Sequence, residues 1–215
     1  MKRIGRLHVL TDMDLQSAFN HVDLTRLAIR GGADTIQFRQ KRGSTLEMIN
    51  TASLMKQVCE EAGVTFIVND RIDVALAVDA DGVHLGQEDF PIPQARELLG
   101  DDRIIGGSAA TIEEAKLCLT LGADYVGFGP VFPTTSKDDA GPVSGIAVLR
   151  KVVDEIPLPI IGIGGITEEN TQDVRGAGAY GIAVISAVCC QVDPEGAARA
   201  LYRALSSEGS GGGRG

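Results

Sequence analysis

Apolar positions along the chain recur in short β-rich runs, and the segments between them carry the three- and four-residue spacing of one-sided helices. The runs are "RLHVLTD", "DTIQFRQ", "TFIVND", "GVHLGQ", "RIIGGS", "YVGFGP", "PIIGIGG" and "GIAVIS". Helical segments such as "DLTRLAIRGG", "STLEMINTASLMKQVCEEAG", "TIEEAKLCLTLG" and "DPEGAARALYRAL" alternate with them. Several end at glycine, at Gly32, Gly63, Gly122 and Gly178, where a left-handed residue closes a helix before the next strand. Thr111 with Glu114 and Thr167 with Asn170 stand where N-caps belong, and the first pair has capping-box spacing. Eight strand–helix units in a row predict an α/β fold, a single (β/α)8 TIM barrel over residues 1–206. An open doubly wound sheet is the weaker alternative, since the units are nearly equal and no larger Gly-rich fingerprint interrupts them. Residues 207–215 form a Gly-rich tail that cannot bury apolar area and should be mobile.

In such a barrel the active site lies at the C-terminal ends of the strands. The stretch "TIQFRQK" shows what this implies. Strand alternation aims Gln37, Arg39 and Lys41 one way and Ile36, Phe38 and Gln40 the other; in isolation the window also reads as a solvated edge strand. Polar residues gather at the same end of the other runs: Thr11 and Asp12, Asn69 and Asp70, Gln87 to Asp89, and Ser108. A long connection, "GPVFPTTSKDDAGPVSG", adds Thr134, Thr135, Ser136 and Lys137. The last two runs finish in "GIGGI" and "VISAV", where backbone N–H groups near Gly164, Gly165 and Ser186 can approach a phosphate. The same glycines also serve simply as tight turns.

Three cations, Arg39, Lys41 and Lys137, together with these hydroxyls suit several phosphate oxygens. Two carboxylates, Asp70 and Asp89, would repel a phosphate in the same rim unless a cation lay between them, and Mg²⁺ takes one or two carboxylates and completes its shell with phosphate oxygens and water. The competing reading makes Asp70 and Asp73 helix caps and Asp89 the start of a turn before Pro91.

Composition narrows the partners. A chain of 215 residues that is 44% hydrophobic can bury one large core. Its formal net charge of −9 opposes binding to nucleic acid or anionic lipid, so an anionic ligand needs a local positive cluster. Neither a signal peptide nor a membrane-length apolar run is evident. Cys59, Cys118, Cys189 and Cys190 show no CxxC spacing and read as small core residues of a reducing, cytoplasmic protein. Three histidines and no nucleophile elbow, Walker motif or HExxH fit a chemistry without a strong protein base.

Taken together, "FIVNDRIDVALAVDADGVHLGQED", "GADYVGFGPVFPTTSKDD", "IIGIGGI" and "AVISAV" resemble the thiamine phosphate synthase family, from about Leu7 to Leu205. The resemblance implies a transferase that joins 4-amino-2-methyl-5-hydroxymethylpyrimidine diphosphate to thiazole phosphate, or its carboxylate, in thiamine biosynthesis. Mg²⁺ assists; diphosphate leaves first, and the thiazole nitrogen captures a pyrimidinylmethyl cation. By motif, the resemblance assigns the pyrimidine diphosphate to Gln37, Phe38, Arg39, Gln40 and Lys41, with Asn69, Ser108 and Lys137 on its phosphates. Arg39, Lys41, Ser108 and Lys137 become the catalytic set, and Asp70 and Asp89 the Mg²⁺ ligands. The thiazole phosphate falls to Thr134, Thr135, Ser136, Gly165, Ile185 and Ser186. Three positions depart from the family pattern: Ser136 in "PTTSK" lacks a methyl, Gln40 replaces a common Glu, and Ala110 stands where relatives often carry His. A related thiazole tautomerase would have no diphosphate to expel and no need of Arg39, Lys41, Asp70, Asp89 and Lys137 as a set. A noncatalytic phosphate-ligand sensor on the same barrel would use the same binding groups. The small-molecule reading leaves a homo-oligomer open.

Overall fold

Strands of a parallel barrel are covered on both faces, which is why these runs are apolar nearly throughout rather than alternating. The computed structural model describes residues 4–136 and 141–207; Lys137 and the expected tail from 208 onward lie outside the described residues. The first half of the chain runs β1 (Leu7–Thr11), α1 (His21–Gly31), β2 (Thr35–Phe38), α2 (Thr45–Ala62), β3 (Thr65–Asn69), α3 (Ile72–Ala77), β4 (Gly82–Leu85) and α4 (Ile92–Leu99). The second runs β5 (Ile104–Ala109), α5 (Ile112–Leu121), β6 (Tyr125–Phe128), α6 (Gly145–Glu155), β7 (Ile160–Ile163), α7 (Thr171–Gly176), β8 (Gly181–Val184), α8 (Ser186–Cys189) and α9 (Pro194–Ser206). Each strand pairs in parallel with the next and β8 closes on β1, as the eight repeated units predict. Closure leaves no edge strand, so "TIQFRQK" is not a solvated edge.

Alternation divides the strand residues between two cores. Ile36, Phe38, Phe66, Val68 and Val126 face outward and pack beneath helix residues such as Leu24, Met55, Leu149 and Leu201. Leu10, Ile67, Ile104, Tyr125, Ile161 and Ala183 fill the barrel interior. Gln37 lies in register with Leu10 and Ile67, so its amide belongs to that interior layer.

Local chemistry sets the helix ends. Gly32, Gly63 and Gly122 are left-handed C-caps whose N–H groups return to the last turn. Gly178 lies one residue beyond the Ala177 C-cap of α7, at φ 92°. Ser44 and Glu47 form a reciprocal capping box on α2. The box expected at α5 is not reciprocal: Thr111 accepts from Glu114 N–H, but the Glu114 carboxylate accepts from Ala110 N–H at 2.6 Å. At α7 the expected roles are exchanged, for Asn170 is the N-cap residue and its side chain accepts from Thr167 N–H. The four-residue α8 is too short to show a helical period, and it turns the chain immediately after β8. Ser207, first residue of the expected tail, is tied to the barrel by Gln172 and by the Arg175 guanidinium on its carbonyl. Among the described residues no helix is long and apolar enough to cross a membrane.

Candidate active site

At the C-terminal ends of the strands the connections enclose a cavity of about 1200 Å³. Lys41, in the loop after β2, reaches it and pairs with the Asp70 carboxylate. Asn69 ends β3, and the chain then turns at Asp70, whose φ of 63° is uncommon for any residue but glycine. Its N–H donates to the His84 carbonyl of β4 at 2.8 Å. Asp70 is not a helix cap: the N-cap residue of α3 is Arg71, which has no capping side chain. Asp89 Oδ2 accepts from Gly86 N–H at 2.7 Å, so this carboxylate does close the turn before Pro91, and it also lines the cavity.

The two carboxylates lie within hydrogen-bond reach of each other. Burial pushes the Asp70 pKa up, but the hydrogen bond and charge of Lys41 outweigh it and hold the group below the ordinary range. Burial, joined by the charge of Asp70, raises Asp89. Asp70 is thus the more acidic of the two carboxylates, with Lys41 matching its charge, while that charge adds to the burial that raises Asp89.

Ser108 of β5 lines the next sector and meets His84 Nε2 at 2.9 Å, while Gln87 donates to the Ser108 carbonyl at 2.6 Å. Across the barrel the described rim residues are uncharged. Thr134, Thr135 and Ser136 line it with Gly164, Gly165, Ile185 and Ser186, and Ser136 Oγ meets Ser186 Oγ at 3.0 Å. Gly165 sits at φ 63°, and a β-carbon there would collide with the Pro133 carbonyl and come 2.8 Å from Phe132 Cβ. Glycine therefore lets the loop after β6 press against the end of β7.

Four candidates from "QFRQK" do not line this cavity. Gln37 lies deeper, 2% exposed, with its Nε2 near His8 Nδ1 and the Tyr125 hydroxyl. Phe38 faces the helices and packs edge-on against His21. Gln40 turns back to donate to the Arg42 carbonyl. Arg39 is buried in an ion pair with Asp12 at the end of β1. Asp12 received no role from the sequence, and only the pairing of β1 with β2 reveals it. His84 and Tyr125 likewise emerge as an interior pair; the facing glycines in "RIIGGS" and "YVGFGP" were their sequence trace.

Burial raises the thiol pKa of Cys118 and Cys190, and that of Cys189 up to about 12. Cys190 is exposed at the cavity rim rather than packed in the core as expected.

Comparison with known proteins gives a consistent result. A family model described as thiamine monophosphate synthase matches residues 7–188. The thiamine-phosphate synthase of Salinibacter ruber is 52% identical over 203 residues, covering 94% of this chain and 89% of that protein. That of Methanocella arvoryzae is 50% identical over 200 residues, covering 93% and 94%. The solved thiamine phosphate pyrophosphorylase of Pyrococcus furiosus superposes with a TM-score of 0.87 at 44% identity, covering 93% of this chain and 95% of that one.

Proposed function

The chain belongs to the thiamine monophosphate synthase family, and from that premise we propose that it condenses a pyrimidine diphosphate with thiazole phosphate in its rim cavity. The C–O bond to the pyrimidine methylene breaks with its electron pair going to the departing diphosphate. The thiazole nitrogen lone pair then forms the new C–N bond. No protein nucleophile is required, in keeping with the raised cysteine pKa values.

The observation that carries this reading is the division of the cavity. Lys41, Asp70 and Asp89 stand on the β2–β4 side, and the hydroxyl and glycine groups of β6–β8 face them across the barrel. Lys41, Asn69 and Ser108 receive the diphosphate, and the family motif assigns Lys137 to the same phosphates. Charge that develops as the C–O bond breaks meets donors already in place, which is where electrostatic stabilisation is most effective. Thr134, Thr135 and Ser136, with Gly165, Ile185 and Ser186, receive the thiazole phosphate. Gln37 on β2 and Arg39 just after it act from behind the residues that line the cavity, and Phe38 and Gln40 hold the segment that presents them.

The donor set fits Mg²⁺. Asp70 and Asp89 supply two hard oxygen ligands at one point, too few to cage an ion alone, and among the described residues no group of three or more His, Cys, Asp or Glu could do so. That is the pattern of a Mg²⁺ site completed by substrate phosphates. When bound, the ion neutralises charge on the departing diphosphate. Asp70 and Asp89 would each offer it a carboxylate oxygen, and Lys41 would remain as the neighbouring counter-charge. The formal net charge of −9 opposes nucleic acid and anionic membrane as partners, and the thiols of Cys118, Cys189 and Cys190 agree with a reducing cytoplasmic setting. The test is direct: both substrates with Mg²⁺ should yield thiamine phosphate by mass.

A further inference from the structure

Below Ser108, a line of hydrogen bonds crosses the barrel interior through His84, Tyr125, Gln37 and His8. Its direction follows from its far end. A carbonyl can only accept, so the Gly5 oxygen, 3.1 Å from His8 Nε2, requires the proton of His8 on that nitrogen. Burial lowers the His8 pKa to about 4, so the ring is neutral and Nδ1 is an acceptor. That acceptor meets Gln37 Nε2 at 3.2 Å. The second amide hydrogen goes to the Tyr125 hydroxyl at 3.3 Å. Burial pushes the phenol pKa far up, so Tyr125 keeps its one proton and gives it to His84 Nδ1 at 2.9 Å. With Nδ1 accepting, the imidazole proton sits on Nε2 and is donated to Ser108 Oγ at 2.9 Å. The hydrogen of Ser108 itself is then left to point elsewhere, and Ser108 lines the cavity.

We infer that Tyr125, acting through His84, fixes the Ser108 hydroxyl as a hydrogen-bond donor into the cavity; this rests on the reading that the diphosphate substrate binds there. Tyr125 and His84 are positioning residues. The rings are held to this arrangement by missing β-carbons: one on Gly106 would overlap the Tyr125 ring, and one on Gly127 would come 2.9 Å from His84 Cε1. Seen alone, a Ser–His pair at 2.9 Å resembles a nucleophile and its base. The polarity forbids that role, because His84 Nε2 already carries a proton and cannot take the one on Ser108. A donor is what a departing diphosphate needs.

Nitrogen NMR of histidine-labelled protein reads the arrangement without turnover, and the chain has only three histidines to assign. In the wild type His84 should be protonated on Nε2, and Tyr125→Phe should move population to the Nδ1-protonated form. In that variant kcat should fall roughly tenfold, the net worth of one neutral hydrogen bond, with little change in KM for the pyrimidine diphosphate. Ser108→Ala should cost about 10²-fold or more in kcat, and adding Tyr125→Phe to it should cost nothing further, since the two act on one hydroxyl. His84→Gln, whose amide can donate to Ser108 but cannot take its proton, should retain most activity and covers the case in which Tyr125→Phe folds poorly. A wild-type His84 protonated on Nδ1, additive losses in the double variant, or a folded His84→Gln as slow as Ser108→Ala would each overturn the inference. If the tautomers are as stated but Ser108→Ala turns over normally, the donor role of the Ser108 hydroxyl is overturned while the substrate-site reading stands; a wild type with these tautomers that forms no thiamine phosphate would instead overturn that reading.

Discussion

Arg39→Ala is the substitution with the most to reveal, because the ion pair it breaks is buried on both sides. The Asp12 side chain is 2% exposed and that of Arg39 is 9%. One Asp12 oxygen accepts from Asp14 N–H at 2.8 Å, and the other faces the guanidinium. Without Arg39 the carboxylate keeps one hydrogen bond and loses its counter-charge, a change that costs about 3–5 kcal/mol in buried pairs. That is a large share of the roughly 5–15 kcal/mol that stabilises a domain. Lys151→Ala removes the same formal charge from an exposed position on α6 and should stay within about 0.5 kcal/mol. Urea unfolding of both variants, with midpoint and slope fitted separately, measures the difference. Replacing Asp12 and Arg39 together by leucine should recover much of the loss, since the penalty lies in the stranded charge. If Arg39→Ala unfolds within about 1 kcal/mol of wild type at unchanged slope, the reasoning about the pair is wrong. Kinetics on the folded fraction then address function: a fall of about 10²–10³ in kcat is expected if the guanidinium also stabilises the leaving diphosphate, and wild-type kinetics would confine Arg39 to supporting Asp12.

Chelation of Mg²⁺ should abolish synthesis and readdition restore it, while Asp89→Ala should raise the Mg²⁺ concentration required with little change in melting temperature; full activity in chelator would remove the metal from the account. His8 and His21 are buried, which lowers both pKa values to about 4, so the unfolded chain binds protons that the folded one does not as pH falls below 6.5. Stability should therefore be complete above pH 6.5 and decline toward pH 4, by roughly 2 kcal/mol for each histidine at pH 5; a urea midpoint that is flat between pH 7 and 5 would refute this. Gly165→Ala should raise KM for thiazole phosphate and lower stability by about 1–3 kcal/mol, through a strained φ and a collision with the Pro133 carbonyl; an unaltered KM and midpoint would show that the loop gives way freely.

The barrel was legible because its strands are buried on both faces and several of its helices stop at glycine, two features written locally. α8 was not, since four residues cannot display a period. The capping partners at Thr111 and Thr167 were placed in the right turns with the wrong donors, because spacing does not say which N–H a carboxylate or amide reaches. Alternation put Gln37, Arg39 and Lys41 on one face, but it carries no information about depth. At about 3.3 Å per residue along a strand, Gln37 lies far below Lys41 along the barrel axis, among interior side chains instead of at the rim. The Asp12–Arg39 pair and the His84–Tyr125–Ser108 line join residues distant in sequence, and they exist only once neighbouring strands are in register.

The central claim is that this cavity joins a pyrimidine diphosphate to a thiazole phosphate with loss of diphosphate. Its most direct measurement is quantitative mass and phosphorus NMR analysis of the folded protein incubated with both substrates and Mg²⁺. The account predicts thiamine phosphate and inorganic diphosphate in equal amounts, and neither when either substrate is left out. Folded protein that binds both substrates yet forms no thiamine phosphate would contradict it and leave a ligand-binding barrel in place of an enzyme.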